Sequence, residues 1–288
     1  MDSNLLMVVG GYDSQNDGNA ENDVEFVNLK NPNSTCVKPK DSPLDSGSTG
    51  TFIQGQAIIC GSYNPNIPTC YSYNPLNDEW NRAFATRLNR DRAGSVQLGD
   101  DDWWILGGYS NSQYLETSEI CHPSKSSCSE YLDFEGQGHL YQPKAVRVNA
   151  THIFIVSYWK STAWLFDQNQ ETFTAIRLEE PTSNNVVTAV MNQRELVILD
   201  TSKTYIYDLN VNEWRLGPYF NHNGFPAPVQ YKNSFLLVGA STEEPGAASD
   251  IFTLDPDTYR WVKLSAKLKT KRTSHAAFLV PDDFVQCS

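Results

Sequence analysis

An eight-residue stretch in the second half of the chain, YDLNVNEW at residues 207–214, recurs in related form as YNPLNDEW at 73–80 and LDPDTYRW at 254–261. In each copy an aromatic or apolar strand end leads through a polar turn to a tryptophan that begins the next strand. Counting three weaker copies, the terminal residue recurs every 41 to 48 residues, at Cys36, Trp80, Cys128, Phe173, Trp214 and Trp261. A period of this size is typical of a repeat architecture.

Two apolar runs, separated by a tight polar turn, precede most of these copies. The first runs are residues 50–53, 94–98, 144–148, 186–190 and 228–231. The second runs are residues 5–9, 56–60, 103–106, 152–156, 195–199 and 234–238. No stretch of ten or more residues carries the 3.6-residue apolar period of a helix. The pattern therefore predicts an all-β chain with four antiparallel strands in each repeat.

Four-stranded antiparallel sheets repeated around an axis form a β-propeller, and six repeats predict six blades. The first repeat begins at Leu5 with its second strand, and residues 275–280 match the innermost strand that it lacks. We therefore expect the C-terminal strand to close the ring in blade one. Residues 1–288 then form a single domain whose approximate blades are 1–43 with 273–288, 44–88, 89–138, 139–181, 182–221 and 222–272.

Glycines follow the central strands, at Gly10-Gly11-Tyr12, Gly61-Ser62-Tyr63 and Gly107-Gly108-Tyr109. Glycine permits the positive φ and close packing that a strand exit requires. Together with the aromatic turn and the tryptophan, this pattern resembles the kelch repeat over essentially the whole chain, although repeats four and five have lost both glycines. Arg92 and Arg272 resemble the arginine that precedes the inner strand in that family. The resemblance implies a kelch-type propeller.

The charge of the chain disfavours several classes of partner. With 22 basic and 34 acidic residues the net charge is −12, which repels nucleic-acid backbones and anionic lipid surfaces. The basic residues between 263 and 272 are interpreted as a solvated loop rather than a phosphate site. No apolar run reaches the length of a membrane-spanning helix, so we expect no membrane insertion. The first residues lack the basic region of a signal peptide.

The six cysteines fall into local pairs. Cys60 and Cys70 flank one hairpin loop symmetrically, and Cys121 and Cys128 flank another, so each pair is predicted to lie within disulfide range. Cys36 and the C-terminal Cys287 both fall in blade one, where a third disulfide would lock the ring. The alternatives are buried reduced thiols, or zinc ligands, which the spacing does not favour.

Two sequons, at Asn33 and Asn149, fall in predicted turns and are candidate glycosylation sites. Together with the paired cysteines they favour an extracellular, secreted protein; a cytoplasmic location is the alternative.

No catalytic motif is present, so we predict a non-enzymatic protein without metal or cofactor. The acidic stretch 100–102 lacks the spacing of a calcium loop and is interpreted as a solvated turn. A copper-dependent, galactose-oxidase-like enzyme is the sharpest catalytic alternative; it would need a tyrosine–cysteine cross-link, for which Cys60 and Cys70 are the nearest candidates.

The loops after the central strands and between blades emerge on one end of a propeller, where tyrosine and arginine side chains would suit recognition. The predicted partner-binding face consists of Tyr12, Tyr63, Arg92, Tyr109, Tyr158, Trp159 and Arg272. We therefore expect a monomeric recognition or scaffold module that binds a protein or peptide, or a glycan. Local packing of each tyrosine is the simpler alternative. An intracellular kelch adaptor, actin-associated or a ubiquitin-ligase substrate receptor, is the other hypothesis; its usual N-terminal dimerisation domain is not found in these 288 residues.

Overall fold

Six antiparallel sheets follow one another along the chain and form the blades of a β-propeller, which confirms the predicted fold class. The structure is a computed structural model that describes residues 3–12, 20–64, 67–134, 140–183, 185–222, 224–240 and 247–288. Blades two to six are four-stranded. Among the described residues of blade one, three strands are paired.

The strands of blades one to three lie close to the predicted apolar runs. Blade one contains β1 (Leu5–Tyr12), β2 (Ala20–Asn28) and β25 (Ala276–Val280). Blade two contains β3 (Thr49–Ile53), β4 (Gln56–Cys60), β5 (Thr69–Asn74) and β6 (Glu79–Ala85). Blade three contains β7 (Gly94–Gln97), β8 (Trp103–Leu106), β11 (Ser118–His122) and β12 (Ser127–Glu130), with a small hairpin of β9 (Tyr109–Ser110) and β10 (Gln113–Tyr114).

The remaining blades are regular four-stranded meanders. Blade four contains β13 (Lys144–Arg147), β14 (His152–Val156), β15 (Thr162–Asp167) and β16 (Thr172–Arg177). Blade five contains β17 (Val186–Met191), β18 (Glu195–Asp200), β19 (Lys203–Asp208) and β20 (Glu213–Leu216). Blade six contains β21 (Ala227–Tyr231), β22 (Ser234–Ala240), β23 (Ala248–Leu254) and β24 (Trp261–Arg272).

The ring closes through its inner strands, each of which contacts the next in the order β25, β3, β7, β13, β17, β21 and back to β25. In blade one, β1 lies between β2 and β25, with Leu5 opposite Val280. The predicted closure by the C-terminal strand is therefore confirmed. The first and last described strands stabilise one sheet together.

The central strands of the blades are buried, and the repeated tryptophans cover the outer part of the blade junctions. All four residues of β8, and the last four of β4 and β14, are buried between neighbouring blades. The repeated tryptophans cover the outer part of these contacts, because each indole N–H donates to a backbone carbonyl of the preceding repeat. The bonds run from Trp80 to Lys40 at 3.1 Å, from Trp214 to Arg177 at 3.0 Å and from Trp261 to Pro218 at 3.4 Å. The spacing of the tryptophans is thus the spacing of the blade junctions.

All six cysteines form disulfides in the predicted pairs, Cys36–Cys287, Cys60–Cys70 and Cys121–Cys128. Two of these staple single hairpins, as their separations of 10 and 7 residues show. The third joins residues 251 positions apart. It crosses a short antiparallel bridge in which Thr35 and Ser288 exchange backbone hydrogen bonds of 2.7 and 3.0 Å.

Two details differ from the sequence interpretation. In blade one, the segment at Cys36 pairs with the C-terminal residues and not with β2. The basic segment 263–272 is not a loop; it belongs to the long outer strand β24, where Lys263 pairs with Asp250 at 2.6 Å. Alternating exposure along this strand lets the lysines face solvent. No helix among the described residues is long and apolar enough to cross a membrane.

Candidate functional site

The turns that follow the central strands and the connections between blades lie at the same end of the propeller, and backbone hydrogen bonds join them. Tyr109 and Asp91 exchange two such bonds, of 2.8 and 3.0 Å. Thr273 donates to the carbonyl of Tyr12 at 3.0 Å, and Tyr63 donates to the carbonyl of Ser46 at 3.1 Å. We call this end, which carries Tyr12, Tyr63, Tyr109 and Trp159, the loop face.

Four of the seven side chains predicted for this face are exposed. The exposed fraction is 36% for Tyr12, 64% for Tyr63 and 59% for Trp159, and the Arg92 side chain is 42% exposed. Tyr109 is half-buried. These five residues can contact a partner without any rearrangement of the fold.

The prediction is wrong for the exposure of Tyr158. Its ring is 1% exposed and packs in the core between blades four and five, where burial raises the pKa of its hydroxyl. The reason lies in the missing glycines of repeat four. Instead of a Gly-Gly pair, Trp159 adopts the left-handed backbone conformation, with φ of 54°, and turns outward in place of Tyr158.

The prediction is also wrong for Arg272, whose side chain is fully buried. Its guanidinium donates to the carbonyl of Gly10 at 2.8 Å and pairs with Glu25 at 2.7 Å and Asp23 at 2.8 Å. The arginine therefore holds the glycine turn and β2 of blade one in place. It is a structural residue and not part of a binding surface.

A second arginine, Arg90, performs the same role in blade three, and the sequence analysis missed it. Arg90 donates to the carbonyl of Gly107 at 2.9 Å and pairs with the buried Glu119 at 2.8 Å. Each arginine lies four residues before its inner strand, and the second carboxylate oxygen of each glutamate accepts a backbone N–H at 2.7 Å, from Arg87 and Lys269 respectively. We call the two arrangements the arginine clamps.

The equivalence of the clamps corrects the alignment of Arg92. Arg90 corresponds to Arg272, and Arg92 corresponds to Ser274, which shares its left-handed backbone with φ of 53° and 54°. Counting back from the start of β7 and β25 would have revealed this register from the sequence. Because Arg90 makes the structural contacts in blade three, Arg92 does not, and it lines a cavity at the centre of the ring.

A row of aromatic rings crosses the loop face beside this cavity. Ring centroids are 4.9 Å apart for Tyr109 and Tyr114, 4.1 Å for Tyr114 and Tyr141, and 5.3 Å for Tyr141 and Trp159. The edge-to-face geometry is a favourable arrangement for aromatic pairs. Tyr114 and Tyr141 were not predicted, because their position depends on the β9–β10 hairpin and on the connection before β13. We call these four residues the aromatic row.

The cavity, about 170 Å³ in volume, lies where the six inner strands begin. Its wall includes Arg92, Lys144, Gln142, Ser95, Thr188 and His275. Burial, reinforced by the neighbouring Arg92 charge, lowers the pKa of Lys144 to about 8. Burial and the Arg272 charge lower the pKa of His275 to about 3, so this imidazole is neutral at physiological pH. Burial raises the pKa of Asp91, beside Arg92, to about 6.

Other predicted positions have simple environments. Asn33 and Asn149 are exposed in turns, and the Asn149 side-chain oxygen accepts the backbone N–H groups of Thr151 and His152, both at 2.9 Å. Within the described part of the chain, no group of three or more His, Cys, Asp or Glu side chains is arranged to hold a metal ion.

Comparison with known proteins supports the fold alone. No protein-family model and no curated protein sequence matches the chain. Among solved structures, one described as "Structure of YjhT" is similar, with a TM-score of 0.74, 10% sequence identity, and coverage of 92% of this chain and 95% of that chain. At this identity the likeness shows a shared six-bladed β-propeller.

Proposed function

We propose that this protein is a non-catalytic recognition or scaffold module of the kelch type, which binds a protein or peptide through the loop face. The observation that carries the proposal is the aromatic row together with the exposed Tyr12, Tyr63 and Arg92 around one cavity. Aromatic and arginine side chains dominate the binding energy of protein interfaces because they combine a large contact area with a polar group. Exposed aromatic rings also stack on sugars, so a glycan is the other ligand class.

The disulfides favour recognition over the copper-enzyme alternative. The sulfur atoms of Cys60 and Cys70 are bonded to each other, so neither can also be cross-linked to a tyrosine ring. The same disulfides favour an oxidising compartment, and we propose an extracellular location.

Mass spectrometry should distinguish the extracellular module from an intracellular adaptor. Because three disulfides carry no thiol hydrogens, the native protein should be about 6 Da lighter than its reduced form and should resist alkylation before reduction. The protein should be purified from its own cells with a thiol-blocking reagent present from lysis onward. Six alkylated cysteines in that sample would support the adaptor hypothesis instead.

Removing two exposed rings from the loop face should strongly weaken partner binding. We expect Tyr63→Ala with Trp159→Ala to weaken binding at least tenfold, since aromatic hot spots are each worth about 2 kcal/mol or more. The measurement is quantitative co-purification from an extract of the source, followed by titration of the recovered partner.

The opposite end of the propeller offers a matched control. Leu76 and Val211 are 95% and 61% exposed in the turns between third and fourth strands, which emerge away from the loop face because antiparallel strands alternate in direction. Leu76→Ala with Val211→Ala should leave binding unchanged. If this pair weakens binding and the loop-face pair does not, the proposed face is wrong.

A further inference from the structure

The cavity at the start of the inner strands has the opposite charge to the rest of the protein. The chain carries a net charge of −12. Yet the described wall of the cavity contains two cations, Arg92 and Lys144, and no aspartate or glutamate. A cleft lined by one sign of charge concentrates ligands of the other sign. The local charge thus favours an anionic group at the centre of the loop face.

Lys144 has no charged partner among the residues that the structure describes. Its ammonium makes no ion pair or hydrogen bond with any described residue. The charge that acts on Lys144 is the like charge of Arg92. This charge and burial both lower the pKa of Lys144. The Lys144 side chain is only partly exposed, at the wall of the cavity, and charges withdrawn from water are normally paired. An uncompensated cation facing an open cavity therefore indicates a partner that comes from outside.

Arg92 is held in a position to share that partner. Its backbone N–H donates to the carbonyl of Gly47 at 2.8 Å, which fixes the left-handed turn before β7. The Asp91 carboxylate is 3.8 Å from its Nε, longer than a good charged hydrogen bond. The hydroxyls of Ser95 and Thr188 supply further polar groups on the same wall.

The size of the cavity limits what can enter. A volume of about 170 Å³ corresponds to about five or six waters at liquid density. This is room for a carboxylate and a few carbon atoms, while the rest of a larger ligand would remain outside, next to Trp159 and Tyr141.

We propose that the cavity accepts a carboxylate group of the ligand between Lys144 and Arg92. This inference rests on the proposed recognition function and names the chemical group of the ligand that the loop face binds. The carboxylate belongs either to an acidic side chain of a protein partner or to a small free acid, and the two sources can be separated by experiment.

The first test uses two probes of the same shape. Isothermal titration with glutarate, and with its uncharged diamide, should show saturable binding of glutarate only. Lys144→Met should weaken glutarate binding about tenfold or more, the size expected for losing one hydrogen bond to a charged group, and Lys144→Arg should retain most of it. Lys125→Met, at an exposed lysine in the turn before β12, is the control and should bind as the native protein does.

A pH titration provides an independent readout. The protonated Lys144 is the binding form, so glutarate affinity should fall about tenfold per unit as pH rises above about 8, the pKa of this lysine. Between pH 7 and pH 9 the His275 imidazole stays neutral and the Asp91 carboxylate stays ionised, so neither group changes the charge around the site. The Lys144→Met protein should lose this dependence while keeping its unfolding midpoint, because Lys144 makes no ion pair with the described part of the chain.

The second arm identifies the source of the carboxylate. A blocked hexapeptide with one central glutamate should bind more tightly than glutarate if the ligand is a protein, and its glutamine counterpart should not bind. Tighter binding of glutarate than of the glutamate peptide assigns the site to a small acid. No saturable binding of either acid, or binding that Lys144→Met leaves unchanged, overturns the inference. The proposed function is tested separately, by partner binding to the Tyr63→Ala, Trp159→Ala variant.

Discussion

Replacing Arg90 with alanine is expected to lower the free energy of unfolding by about 3–5 kcal/mol, the loss typical of breaking a buried ion pair. Glu119, with no exposed surface, would lose its charged partner. The carbonyls of Gly107 and Thr117 would each lose the hydrogen bond that Arg90 donates. Arg272→Ala should have an effect of the same size in blade one, since Glu25 and Gly10 make the equivalent contacts.

The control for this measurement lies three residues away. Arg87 pairs with Glu130 at 2.6 Å, but the two side chains are 54% and 63% exposed, so Arg87→Ala should cost no more than about 1 kcal/mol. Guanidinium unfolding of all three variants, under oxidising conditions, provides the comparison. Equal effects of Arg90→Ala and Arg87→Ala would show that the clamp does not stabilise the fold.

Removing the Cys36–Cys287 disulfide is expected to destabilise the protein more than removing any other. The chain-entropy model gives about 5.5 kcal/mol for a loop of 251 residues, against about 2.5 kcal/mol for the loop of 7 closed by Cys121–Cys128. Each pair should be replaced by alanine, and the unfolding midpoints compared. The two sites are well matched, because each has one buried and one partly buried cysteine.

Hydrogen exchange should localise the effect of opening the ring. Without the Cys36–Cys287 disulfide, we expect faster exchange in β1 and β25, whose pairing closes the propeller. Faster exchange confined to other blades, or equal midpoints for the two variants, would contradict the role of this disulfide in closure.

The fold was predictable from the sequence because each blade is a local structure. An apolar run of four to six residues between polar turns specifies a strand that is buried on both faces, as β8 and β14 are. The disulfides followed from the same regularity, since Cys121 and Cys128 are directly opposite across a hairpin. Closure of the ring was predictable because the first repeat lacks its inner strand and the end of the chain supplies one.

The site was harder to predict because it depends on side-chain direction and register. A shift of two residues separates the structural Arg90 from the cavity residue Arg92, and only the distance of each arginine from its inner strand distinguishes them. At Tyr158 and Trp159, the backbone angle of one residue decides which ring is exposed. The sequence correctly placed Lys144 at the start of an inner strand. The surroundings of its side chain come from other blades that meet at the axis, so they were not predictable from the local sequence.

The Cys36–Cys287 bond also has a mechanical consequence. A force applied between the two ends of the chain would travel from the N-terminal segment through Cys36 directly into Cys287, bypassing everything between them. Blades two to six would carry none of the tension. Only the segment before Cys36 could be extended, by peeling β1 away from its neighbours one hydrogen bond at a time. Blades two to six would therefore stay assembled under a load that unravels the first strands of blade one.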